Sequence, residues 1–122
     1  MTQEHKVLLQ DLCARLPYRI KASYYEAEAE CETWDEIEGI TIDGYVDIGQ
    51  YSLPIERIKP YLFPLSSMTE KQKMELTTIK TYVSLNKNRE FLLFDWLNKN
   101  HLDYRGLIPM GLALDATGLN IY

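Results

Sequence analysis

The chain has 122 residues, 46% of them hydrophobic and 25% charged, with 13 Lys and Arg against 18 Asp and Glu for a formal charge of −5. That length fits one domain over residues 1–122 with a core of its own, and the composition excludes a mainly disordered chain. No apolar run approaches the roughly 18 residues that cross a bilayer, and Met1 to His5 lacks the basic and apolar regions of a signal peptide, so a cytoplasmic protein with no membrane partner is expected.

The first expected element is an amphipathic helix of about four turns, N-capped by Thr2, with Leu9, Leu12, Cys13 and Leu16 sharing a face, and ended by Pro17. Arg19 to Tyr25 alternates, placing Ile20, Ala22 and Tyr24 on one side as in a half-buried strand. From Ser23 to Gln50 the chain carries nine acids and no Lys, Arg or His. Within it Glu26, Glu28, Glu30 and Glu32 alternate with Ala27, Ala29, Cys31 and Thr33. If extended, the four carboxylates form a row spaced by about 6.6 to 6.8 Å. Glu and Ala are poor strand formers, however, and a chain reversal is expected somewhere between Glu26 and Glu36.

Strand signal returns at Ile37. Asp43-Gly44 between Ile40, Ile42 and Val46, Ile48 predicts a hairpin; placing Ile42 opposite Val46 and Ile40 opposite Ile48 needs an odd number of loop residues or a bulge, and a three-residue connection is expected. Tyr51 to Leu53 reads as a short strand, and the proline-bracketed run from Pro54 to Pro60 as one tight turn of helix. Ser67 with Glu70 and Thr69 with Gln72 form overlapping capping boxes before Gln72, Leu76, Ile79 and Val83, which predicts a second helix. Phe91 to Leu97 is apolar nearly all round and predicts a third helix buried on more than one side, ended by Asn98 to His101. Leu102 to Tyr122, with three glycines and Pro109, reads as a loop and a short hairpin through Leu112, Leu114, Leu119 and Ile121.

The strings DLCARLP (Asp11 to Pro17), KPYLFPLSSMT (Lys59 to Thr69) and WLNKNHLDYRGLI (Trp96 to Ile108) resemble a family of small proteins of unknown function, common in phages and mobile elements of Bacteroides-type gut bacteria. The resemblance covers most of the chain. It implies a genomic context, and it brings with it no activity, cofactor or catalytic residue. That context favours small proteins that bind and inhibit, or that serve replication or packaging.

The residues offer little chemistry. His5 and His101 lie at opposite ends, and neither they nor Cys13 and Cys31 stand at metal-ligand spacing, so no metal or cofactor is expected and the cysteines read as reduced thiols. A glutamate row can hold calcium opportunistically, but the loop of an EF-hand is missing. No nucleophile elbow, P-loop or dinucleotide fingerprint occurs, and no catalytic residue is assigned. Cys13, on an apolar helix face, reads as a small hydrophobe, and Cys31 among carboxylates as an unreactive thiol.

Two surfaces remain. The first is the acidic one, Glu26, Glu28, Glu30, Glu32, Asp35 and Glu36, which repels phosphate backbones and attracts cations. The second is Asp103, Tyr104 and Arg105, read either as a recognition surface or as a loop anchored to the end of the third helix with Gly106 at positive φ. The expected architecture is α+β: an N-terminal helix, a bent antiparallel sheet, two helices packed on it and a C-terminal loop or hairpin. The expected function is a non-enzymatic interaction protein, monomeric or a small homo-oligomer. Its acidic face docks a basic protein surface, such as that of a nucleic-acid-binding protein, and contacts no nucleic acid itself. The alternatives are an SH3-like barrel over Arg19 to Leu53 that binds nucleic acid or a peptide, and a small-molecule binder or hydrolase.

Overall fold

The computed structural model describes all 122 residues. Helix α1 (Gln3–Arg15) starts where Thr2 accepts the His5 N–H at 3.1 Å, a side-chain cap as the sequence leads one to expect. Its buried stripe is Leu8, Asp11, Leu12 and Arg15, one position off the expected face, and Cys13 is exposed and not a core residue. The shift has a physical cause: Asp11 and Arg15 satisfy each other, so a face with two charges can be buried and Leu8 used in place of Leu9.

Four strands follow as a meander, β1 (Lys21–Glu26), β2 (Cys31–Ile40), β3 (Tyr45–Ile48) and β4 (Tyr51–Pro54), and after a 3-10 turn at Ile55–Arg57 comes β5 (Ile58–Leu62). A two-residue strand, β6 (Leu114–Asp115), pairs parallel to β5, so the sheet is mixed, in the order β4-β3-β2-β1-β5-β6. The fold is α+β. The fifth strand returns beside the first, the connectivity that a five-stranded barrel of the SH3-like kind needs, but no ladder joins β4 to β5.

Three local features differ from what the sequence leads one to expect. The β2–β3 hairpin pairs Ile40 with Val46 and Ile37 with Ile48 around a register shift between Ile37 and Gly39, while Ile42 stands 98% exposed in the turn. A bulge, and not the expected three-residue loop, resolves the parity. Ile58 to Pro60 belongs to β5 and not to the expected helical turn. Pro60 is tolerated because β6 pairs only with Tyr61 and Leu62, leaving an edge on the outer side of Pro60. Leu119 and Ile121 lie outside any strand, so the C-terminal hairpin does not form, and the segment contributes only β6.

The sheet's inner face and α1 enclose a core centred on Leu8, Leu12, Ile20, Val46, Ile55 and Leu62, all at most 1% exposed. Helix α2 (Glu70–Leu85) carries the expected capping box, with Thr69 accepting from the Gln72 N–H at 3.1 Å and Gln72 accepting from the Thr69 N–H at 3.0 Å. Helix α3 (Phe91–Lys99) buries only Leu97 and Asn98, and Phe91, Leu92 and Phe94 are exposed, so it is covered on one side and not on several. No helix is long and apolar enough to cross a membrane.

Candidate functional site

The acidic segment is a hairpin. Glu26 ends β1 opposite Cys31, the first residue of β2, and the chain reverses through Ala27 to Glu30. The turn is set locally: the Glu26 carboxylate accepts the Glu28 N–H at 2.9 Å, and Glu30 takes φ 54°, a left-handed conformation uncommon outside glycine. The single straight row of carboxylates is therefore not formed, because the reversal falls inside it.

Cross-strand register tells where each carboxylate goes. Ala22 pairs with Asp35, Tyr24 with Thr33 and Glu26 with Cys31, so Glu26 and Asp35 share the side of the buried Tyr24. Lys21 pairs with Glu36 and Tyr25 with Glu32, which puts Glu32 and Glu36 on the opposite side. Glu28 and Glu30 stand exposed at the tip. Glu36 is ion-paired with Arg19 at 2.8 Å, at the surface where such a pair contributes little. Glu26, Glu28, Glu30, Glu32 and Asp35 form no ion pair with any cation of the chain.

Against this hairpin lies an open groove of about 430 Å³, lined by Tyr25, Ala27, Glu32, Tyr51, Leu53 and Arg57. It sits where β1, β2, β4 and the 3-10 turn approach without a closing ladder. Tyr51 holds one wall: its hydroxyl donates to Glu26, and its ring centroid is 6.2 Å from that of Tyr24. The bond to the Glu26 carboxylate raises the Tyr51 pKa, and burial followed by the Asp35 and Glu26 charges raises that of Tyr24. A second depression, lined by Ser23, Glu32, Glu56, Arg57, Lys59 and Leu114, adjoins the first and shares Glu32 and Arg57 with it.

Asp103, Tyr104 and Arg105 belong to a different cluster. Asp103, 6% exposed, accepts the N–H groups of Leu107 and Ile108 at 2.8 and 2.9 Å and so fixes the following loop, in which Gly106 has φ 76°. Arg105 reaches the buried Asp11 at 3.1 Å. The Arg15 and Arg105 guanidinium groups both lie over the Tyr104 ring, 5.1 and 5.3 Å from its centroid, and the Tyr104 hydroxyl donates to Asn98 at 2.9 Å. These contacts join α1, α3 and the C-terminal segment, the anchoring role read from the sequence.

No three of the His, Cys, Asp and Glu side chains converge on a common point that could hold a metal ion. The groove residues Tyr25, Tyr51, Leu53 and Arg57 carry no sequence motif, because their proximity depends on the curl of the sheet. The Asp11–Arg15 pair did carry one, an opposite-charge pair at i,i+4. Comparison with protein-family models, with curated proteins and with solved structures finds no match to this chain.

Proposed function

We propose that this protein is a non-enzymatic interaction module, of the kind encoded by phages and mobile elements, which docks a basic surface of a partner protein on the β1–β2 hairpin. The observation that carries this reading is the hairpin's set of carboxylates that form no ion pair within the chain, Glu26, Glu28, Glu30, Glu32 and Asp35, beside a groove walled by Tyr25 and Tyr51 with Arg57 at its edge. Lys or Arg of the partner meets Glu28, Glu30 and Glu32, and a neighbouring apolar side chain enters between Tyr25, Tyr51 and Leu53. The charges steer the encounter, and the groove supplies the apolar burial that charge alone lacks. Turning the carboxylates to several directions around one hairpin suits a concave or extended partner better than a flat one.

Selection of displayed random peptides on the immobilised full chain tests this. Sequences with Lys or Arg beside an aromatic or aliphatic residue are expected to enrich, and their affinity is expected to fall roughly tenfold between low and physiological salt. Glu28→Lys combined with Glu30→Lys should abolish the binding. Enrichment of neutral or acidic peptides, or binding indifferent to the double variant, would overturn the reading.

A further inference from the structure

We propose that the depression lined by Tyr18, Arg19, Lys21, His101 and Tyr122 is a binding site for a tetrahedral oxyanion of the phosphate type, free or as a monoester. It lies at the end of the β1–β2 pair opposite the acidic tip, and its occupancy does not depend on docking there.

The depression measures about 310 Å³ and draws its donors from stretches of chain far apart in sequence. Its charge runs against that of the molecule. In a chain of formal charge −5, Arg19 and Lys21 stand together, and Glu36 is the one carboxylate ion-paired to either of them. Arg19 meets Glu36 through Nε alone, at 2.8 Å, so both of its Nη groups are unspent, and its side chain is 81% exposed. Lys21 donates one N–H to the Ile121 carbonyl at 2.6 Å and keeps two. The ammonium is held by two rings, 5.3 Å from the centroid of Trp34 and 5.6 Å from that of Tyr122.

Stability gives no reason for an arginine at position 19. The residue ends the 3-10 turn Leu16–Tyr18 with φ 62° and ψ 53°, a left-handed conformation in which glycine is the least strained occupant. A β-carbon is strained there, and what the arginine returns to the fold is one surface ion pair, which contributes little. Strain of this kind gathers where the placement of a side chain is used for binding.

His101 supplies the third donor. Its Nδ1 is buried without a partner, whereas its Nε2 is neither buried nor bonded within the chain. The buried Arg15 charge acts on the ring from the interior and favours a bare lone pair at Nδ1, which puts the proton of the neutral ring on Nε2, the nitrogen left to the depression. Tyr122 fixes the wall: its hydroxyl accepts the Lys21 N–H at 2.8 Å and donates to the Tyr61 carbonyl at 2.9 Å, and its ring stacks on His101 with centroids 3.7 Å apart. The donors are thus in place before any ligand arrives. Coming from three backbone positions, they match three oxygens of a phosphate better than the two of a planar carboxylate, and the charge-assisted bonds of Arg19 and Lys21 are the strong ones.

Titration of the isotope-labelled full chain with inorganic phosphate, phenyl phosphate and acetate, at constant pH and ionic strength and followed by NMR, tests this. Saturable shifts are expected at Arg19, Lys21, His101 and Tyr122 with a Kd of about 1 mM, as suits an open site screened by salt, and acetate should bind at least tenfold more weakly. Tighter binding of phenyl phosphate than of inorganic phosphate would identify a monoester as the ligand, and equal binding the free ion. Arg19→Gly keeps the left-handed backbone and removes the guanidinium, so it should unfold at the same or a higher urea concentration than the wild type and yet lose tenfold or more in phosphate affinity. Lys21→Gln should lose affinity likewise. Shifts that do not saturate, shifts that map to other residues, acetate binding as tight as phosphate, or unchanged affinity in both variants would overturn the proposal.

Discussion

Asp11 and Arg15, one turn apart on α1, form an ion pair from which water is wholly excluded, with Arg15 Nε 2.8 Å from Asp11 Oδ2 and neither side chain exposed. Arg15 also donates to the Leu102 carbonyl at 2.6 Å, and Arg105 shares the second carboxylate oxygen. One carboxylate thus holds two guanidinium groups and through them ties the first helix to the C-terminal third of the chain. Removing it leaves Arg15 buried without its counter-charge. Asp11→Ala is expected to cost about 3–5 kcal/mol, and Asp11→Leu with Arg15→Met to recover most of that loss, because the desolvation penalty goes with the charges. Urea unfolding followed by circular dichroism decides it, and a cost below about 1 kcal/mol for Asp11→Ala would show that the network contributes little.

Gly49 is required where β3 turns into β4. Its φ is 58°, and a Cβ there would fall 2.6 Å from the Tyr24 hydroxyl, at the end of a ring 5% exposed and packed near Tyr51. Gly49→Ala should therefore destabilise by about 1–3 kcal/mol, from strain at positive φ together with displacement of Tyr24. Because Tyr51 stands against Tyr24, the same variant should loosen the groove wall, seen as a changed Tyr51 ring environment in the aromatic NMR spectrum. An unchanged urea midpoint would show that the ring gives way freely.

Elements with a periodic or capping signature were legible in the sequence, and those held by long-range pairing were not. Thr2, the Thr69–Gln72 box and the alternation of Ile20, Ala22 and Tyr24 each specify structure within a few residues, and each appears as read. Pro60 argued against a strand that exists because β1 offers it a partner and β6 stops short. The acids from Glu26 to Glu36 announced negative potential, but their directions depend on where the turn falls, which the Glu26 bond to the Glu28 N–H fixes. Likewise the two tyrosines and Leu53 of the groove come from β1 and β4, at opposite ends of the meander, and only the curl of the sheet brings them together.

The Thr69–Gln72 box closes the exposed N-terminus of α2, a helix with no buried residue to hold its end. Thr69→Ala removes one side of that box, and its cost should be about 1 kcal/mol, felt first in α2. Amide exchange is the suitable measurement: protection in the first two turns of α2 should drop several-fold while β1 and β5 stay protected. Equal loss across the sheet would mean that α2 and the sheet unfold as one unit.

His101 makes stability depend on pH. Its ring stacks on that of Tyr122, with centroids 3.7 Å apart, its Nδ1 is buried without a hydrogen-bond partner, and burial, with the Arg15 and Lys21 charges, lowers its pKa to about 4. In the unfolded chain an imidazole titrates near the ordinary 6.5. Above that value the ring is neutral in both states and stability does not change with pH. Below it the unfolded chain takes up a proton that the folded chain refuses until about pH 4, so stability falls as pH drops through this window. The partly exposed ring is screened by solvent, and a loss of about 1–2 kcal/mol across the window is expected. His101→Asn keeps a residue type suited to the observed φ of 56° and removes the titration. Urea midpoints at several pH values between 7 and 4 should therefore converge toward a flatter profile in the variant, the carboxylates contributing equally to both proteins. Parallel profiles for the two would assign the acid sensitivity to other groups.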